Sequence, residues 1–128
     1  MNGYLLDTHV LLWLLDDSPR LGATAREALS SGSPVHVSAA SLWEIAIKAR
    51  TGKLTVPDDL ANALVDAGLV ELSVAIAHTQ RLATVELPHR DPFDAMLVAQ
   101  ARSAGLTLVT ADAQVLASGV PDLLDARA

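Results

Sequence analysis

Four acidic residues stand where apolar runs give way to helix starts: Asp7, Glu44, Asp94 and Asp112. Asp7 directly follows the apolar run 3–6, and Asp112 follows the run 106–110 after a single alanine, Ala111. Glu44 lies about one turn into a helix that begins beyond the β-favouring run 35–38, and Asp94 sits just behind Asp91 and Pro92 at the start of another. In a parallel sheet the ends of strands and the starts of the following helices share one edge, so these four can form one carboxylate cluster. Carboxylates brought that close repel one another and raise one another's pKa unless a cation offsets them. The chain has no cysteine, and His9, His36, His78 and His89 show no paired ligand spacing, so the fitting cation prefers oxygen: Mg²⁺ or Mn²⁺. Such an ion activates water for in-line attack at phosphorus and stabilises the charge that develops, which is the chemistry of phosphodiester hydrolysis.

Each acid also has a local explanation that the residues leave open. Asp7 can cap a helix starting at Thr8, and Asp112 can cap the turn 113–117. Glu44 can close a capping box with Ser41 or pair with Lys48 one turn on, and Asp94, at the third helical position, can close a capping box with Asp91.

The elements that must position these acids follow from pattern. Asp91 reads as an N-cap and Pro92 as the first residue of a helix running to Ala104, with Gly105 as its C-cap. On that helix Asp94 shares the core-directed stripe with Leu97, Val98 and Ala101, while Gln100 and Ser103 fall on other faces. Strands are expected at 3–6, 35–38, 69–73 and 106–110, with a last strand or extended tail at 120–124. Helices are expected at 9–15, 24–29, 41–48, 58–67, 75–86 and 113–117, and the third of these carries Ser41, Glu44 and Lys48 on one stripe. Strands alternating with helices, without repeats or a linker, indicate one α/β domain over residues 1–128 around a mostly parallel sheet.

Composition sets the outer bounds. A chain of 128 residues with 51% hydrophobic content and a mean hydropathy of +0.34 can bury a real core. Its longest apolar run, 10–15, is far short of the roughly 18 to 20 residues a membrane span needs, which points to a soluble, cytoplasmic protein without a membrane partner. The same run leaves no polar face, so a helix there needs cover from its own domain or from a second chain. A net charge of −6 provides no general positive field for holding nucleic acid. Basic residues able to meet a nucleic-acid strand locally are Lys48, Arg50, Lys53, Arg90 and Arg102, each with ordinary solvated charge as the competing explanation. Tyr4, Trp13, Trp43 and Phe93 all lie in apolar contexts, which gives base stacking little support.

Taken together, Leu5-Leu6-Asp7-Thr8-His9, the segment 38–48 with Trp43-Glu44-Ile45, Arg90-Asp91-Pro92-Phe93-Asp94 and Leu108-Val109-Thr110-Ala111-Asp112 resemble, in order and spacing, the motifs of PIN-domain proteins, specifically VapC-type toxins of type II toxin–antitoxin pairs. That resemblance implies a three-layer α/β/α sandwich with a mostly parallel central sheet and a Mg²⁺- or Mn²⁺-dependent endoribonuclease. It also implies an RNA substrate, inhibition by a VapB-type antitoxin protein and, usually, a homodimer. Carried over by motif, Asp7, Glu44, Asp94 and Asp112 are the catalytic, metal-site acids. Thr110 matches a hydroxyl position beside the site, although a β-favouring strand residue explains it as well, and Asp91 also matches, with helix capping as its stronger role. The chain departs from many relatives in having Ala95 where they carry arginine, which puts one phosphate or salt-bridge contact in doubt. Receiver modules and haloacid-dehalogenase-like phosphatases fit less well: Asp7 has no adjacent acid, no lysine follows Lys53, and His9 stands where an Asp-x-Asp motif needs its second acid. The alternative from another class is a non-catalytic PIN-type interaction domain.

Overall fold

The chain opens, in a computed structural model that describes residues 3–87 and 91–128, with the central strand of its sheet, β1 (Tyr4–Leu6). Beyond it come α1 (Thr8–Leu15), α2 (Ala23–Leu29), β2 (Val35–Ser38), α3 (Ala39–Arg50), α4 (Leu60–Asp66) and β3 (Val70–Leu72). The second half supplies α5 (Ile76–Leu82), α6 (Pro92–Ala104), β4 (Thr107–Thr110), α7 (Ala113–Leu116) and β5 (Leu123–Asp125). All neighbouring strands pair in parallel in the order β3-β2-β1-β4-β5, with Leu6 opposite Val37 on one side and Val109 on the other. No helix among the described residues is long and apolar enough to cross a membrane.

Alternation along β1 explains the layers. Leu6, Val37 and Val109 pack with Val10, Leu11, Ala25 and Ile45 on one face, whereas Leu5 and Leu108 pack with Leu97, Val98, Ala101 and Val115 on the other. A parallel sheet covered on both faces by helices is the three-layer α/β/α arrangement expected, and it explains why β1 and the middle of β4 read as continuous apolar runs. Because β2 lies on one side of β1 and β4 on the other, the crevice between the carboxyl ends of β1 and β4 is the topological switch point, where such sheets place ligands.

The start of α6 follows the sequence closely. Asp91 accepts hydrogen bonds from the amides of Phe93 (2.9 Å) and Asp94 (3.2 Å), Pro92 opens the helix, and Gly105 closes it at φ 68°. That left-handed conformation is one a side chain would strain. Its middle departs from expectation. Gln100 is 0% exposed, because the sheet, α5 and α3 together enclose residues 97–101. A buried amide needs partners. Gln100 accepts from the Ser38 hydroxyl and donates to the Ser73 carbonyl at 3.2 Å, tying α6 to the end of β2.

Two helices are shorter than their patterns. The segment expected at 75–86 is helical only over Ile76–Leu82, and the acid-led segment 58–67 only over Leu60–Asp66, where Asp59 is the N-cap and no residue is fully buried. His89 and Arg90 lie outside the described residues.

Candidate active site

At the switch point the carboxyl edge opens into a pocket of about 310 Å³ whose wall includes Asp7, Glu44, Asp94 and Asp112, with Asp91 beside them. All four acids expected to meet are therefore on one pocket. Each arrives there on a different element, and in three cases the local role expected of it is also filled.

Asp7 leaves β1 as the N-cap of α1, its Oδ1 accepting from the Val10 amide at 2.8 Å. Its Oδ2 accepts from the Thr110 hydroxyl at 2.6 Å, and Thr110 Oγ1 in turn accepts from the Asp112 amide at 3.1 Å. Thr110 is thus both a strand residue and a hydroxyl bonded to a site acid. With Asp7 only 5% exposed, burial pushes its pKa above the ordinary 3.8, outweighing the lowering by Thr110 and the Val10 amide. A positive charge in the pocket would relieve that cost.

Glu44 is buried on the inner side of α3. Its Oε1 accepts from the Thr8 hydroxyl and its Oε2 pairs with Lys48 Nζ, both at 2.6 Å. The capping box with Ser41 does not form: among the described residues the buried Ser41 hydroxyl has no hydrogen-bond partner, and Ser38 caps α3 through the Ala40 amide instead. The bond to Glu44 holds the Lys48 ammonium above its ordinary 10.5 despite partial desolvation, and the charges of Glu44, Asp91 and Asp94 add to the effect. Lys48 thus registers the negative field of the pocket. The polar stripe of α3 faces inward, which leaves Trp43 and Ile47 outside. Trp43, in an apolar context by sequence, is 64% exposed and meets the half-buried Phe93 edge-on at 5.2 Å.

Asp112 caps α7 with Oδ1, accepting from the amides of Gln114 and Val115 at 2.9 and 3.0 Å. Asp94 is half-buried in the first turn of α6. Capping does not exhaust a carboxylate, which offers about four acceptor positions. Among the described residues no three or more His, Cys, Asp or Glu side chains are already gathered around one point as ligands. Mg²⁺ usually takes one or two carboxylates and keeps several waters, so an open pocket walled by oxygen donors fits it without a closed cage.

Sequence reasoning missed three polar pocket residues. Thr8 adjoins Asp7 but has no pattern of its own to mark it, and nothing local in the sequence connects Arg20 and Arg127 to the acids. Of the basic residues named from sequence, Lys48 lines the pocket, while Arg50, Lys53 and Arg102 are exposed and not part of its wall.

The sequence profile of the PIN domain matches residues 4–118. The chain belongs to the PIN domain family. No curated protein sequence matches it. Solved structures similar to this PIN domain include VapBC2 from Rickettsia felis bound to a DNA fragment from its promoter (TM-score 0.66, 16% identity, covering 95% of this chain and 96% of the other). DNA-bound VapBC from Salmonella typhimurium gives a TM-score of 0.67 at 20% identity, with 96% of both chains covered. VapC20 from Mycobacterium tuberculosis, a Sarcin-Ricin loop cleaving toxin, gives 0.53 at 18% identity, covering 95% of this PIN domain and 99% of the other chain. At such identities the likeness is one of fold.

Proposed function

We propose that this PIN domain is the endoribonuclease toxin of a toxin–antitoxin pair, acting in the cytoplasm on RNA phosphodiester bonds with Mg²⁺ or Mn²⁺. The observation that carries the reading is the meeting of Asp7, Glu44, Asp94 and Asp112 on one pocket at the switch point of a PIN fold. Asp7, Glu44, Asp94 and Asp112 would hold the ion, which when bound supplies an acidified water and charge neutralisation at phosphorus.

The chain's own residues do the positioning. The Val10 amide and the Thr110 hydroxyl lock both oxygens of Asp7. Thr8 and Lys48 lock those of Glu44, and Lys48 balances its charge. Caps at α1, α6 and α7 set the acids on helix starts, where the helix dipole favours negative charge.

A VapB-type antitoxin as partner is supported by the complexes among the structural neighbours. A homodimer is supported by α1, whose Leu12, Trp13, Leu14 and Leu15 are only half-buried by their own chain.

The test is incubation of purified protein with structured and unstructured RNA in Mg²⁺, Mn²⁺ or EDTA. Cleavage is expected only with metal and is expected to vanish in Asp7→Asn. Cutting that persists in EDTA, or at full rate in Asp7→Asn, overturns the mechanism. Metal-independent behaviour with no cutting of any RNA favours the non-catalytic interaction domain.

A further inference from the structure

We infer that Arg127 is the residue with which the pocket grips a phosphodiester of its RNA substrate, an inference that rests on the nuclease reading above. The pocket presents an electrostatic problem. Five acids, Asp7, Glu44, Asp91, Asp94 and Asp112, line it in a chain of net charge −6, and a polyanion does not enter such a field unaided. Among the described residues three cationic side chains share the wall: Arg20, Lys48 and Arg127. Lys48 is tied to Glu44 at 2.6 Å. Arg127 makes no ion pair with a carboxylate among the described residues.

The guanidinium of Arg127 lies 5.5 Å from the centre of the Trp13 ring, and its Nη1 donates to the Ala111 carbonyl at 3.3 Å. Ala111 is the residue between Thr110 and Asp112, so that bond draws the cation to the acids. An arginine has five N–H donors in a planar fork suited to phosphate oxygens, and the remaining donors serve that purpose. The cation–π contact with Trp13 helps to hold the guanidinium at the pocket wall.

The fold holds the backbone of Arg127 from both sides. Beyond β5, the Ala126 amide donates to the Thr110 carbonyl and the Ala126 carbonyl accepts from the Gly22 amide, both at 2.9 Å. Ala126 itself is buried in the core, and the Arg127 amide donates to Asp125 Oδ1 at 2.9 Å. The Ala128 carbonyl accepts from the Thr24 amide at 2.9 Å. This docking requires glycine at position 22, since a Cβ there would lie 2.2 Å from the Ala128 oxygen. A solvated arginine merely covering a tryptophan needs no such seat.

The experiment measures anisotropy of a fluorescein-labelled, mixed-sequence single-stranded oligoribonucleotide in EDTA, across NaCl concentrations, for the parent, Arg127→Ala, Arg127→Lys and Arg102→Ala. Arg127→Ala is expected to weaken binding about tenfold and to reduce the salt slope by about 0.7, the loss of one phosphate contact on a single strand. Arg127→Lys should keep the slope and lose part of the affinity, and Arg102→Ala should match the parent. With Mn²⁺, the Arg127→Ala cleavage defect should shrink at saturating RNA, an effect on KM more than kcat. An Arg127→Ala protein with the parent's melting temperature, affinity and salt slope overturns the inference and leaves the nuclease reading standing. A parent that does not bind the oligonucleotide even at low salt overturns both.

Discussion

Replacing Asp7 two ways separates its charge from its hydrogen bonds. In the folded chain the carboxylate caps α1 through the Val10 amide and accepts from Thr110, which is 1% exposed and has its hydroxyl oxygen already facing the Asp112 amide. Asparagine keeps an oxygen for the cap and can turn its NH₂ towards Thr110 Oγ1. Alanine keeps neither, forfeiting a cap of about 1 kcal/mol and a hydrogen bond of about 1 kcal/mol net. Asp7→Ala should therefore be less stable than Asp7→Asn by about 2 kcal/mol, a difference of roughly 6 to 10 °C in melting temperature for a chain of this size. The charge acts in the other direction. Burial raises the folded-state pKa of Asp7 above its unfolded value, so its contribution to stability is fully present below the unfolded pKa and is lost as pH rises through the folded one. At neutral pH without metal the ionised group is a liability, and Asp7→Asn should approach or exceed the parent. As pH falls towards the ordinary carboxylate range, the parent should gain on Asp7→Asn. Urea denaturation in EDTA at several pH values between 5 and 8 measures both effects. Asp7→Asn as unstable as Asp7→Ala at neutral pH, or a parent that loses ground to Asp7→Asn on acidification over this range, would refute the burial argument.

Asp94→Asn and Asp94→Ala should both abolish thermal stabilisation by Mn²⁺, which for the parent amounts to about 2.7 kcal/mol at a hundredfold excess over Kd; a melting temperature that still rises with Mn²⁺ in Asp94→Asn places the ion elsewhere. Gln100→Leu strands the buried Ser38 hydroxyl and removes the bond to the Ser73 carbonyl, and should lower stability by about 2 kcal/mol in urea titration, whereas an unchanged midpoint would mean that the network linking α6 to β2 contributes nothing.

The motif residues were legible because each sits beside a change of pattern. The change from apolar strand to Asp7-Thr8, and the Asp91-Pro92 helix start, carry both position and chemistry in a few adjacent residues. The layers were legible because the central strands β1 and β4, buried on both faces, leave nearly unbroken apolar runs. Gln100 was not, since periodicity assigns one buried stripe per helix and α6 is enclosed on several sides. Trp43 misled for the converse reason: the polar stripe of α3 points inward to the site, so its neighbouring apolar residues point out. Arg127 reaches the pocket through the pairing of β5 with β4 and the close approach to Gly22, contacts that no local pattern encodes. Helix ends erred where capping chemistry was weak, as at α5.

β1 precedes every other strand in the sequence yet occupies the middle of the sheet, between β2 and β4. The hydroxyl that fixes Asp7 is 103 residues further along the chain. A chain emerging from the ribosome can pair β1 with β2 early, but the opposite edge of β1 stays open until β4 is delivered. Pairing over such separations is slow because loop closure precedes any reward. The helix bearing Asp94, the turn bearing Asp112 and the seat of Arg127 all belong to that later half. If the pocket cuts RNA, the nascent protein is harmless to the ribosome that makes it, since Asp7 and Glu44 cannot meet Asp94 and Asp112 until the later half of the chain has emerged.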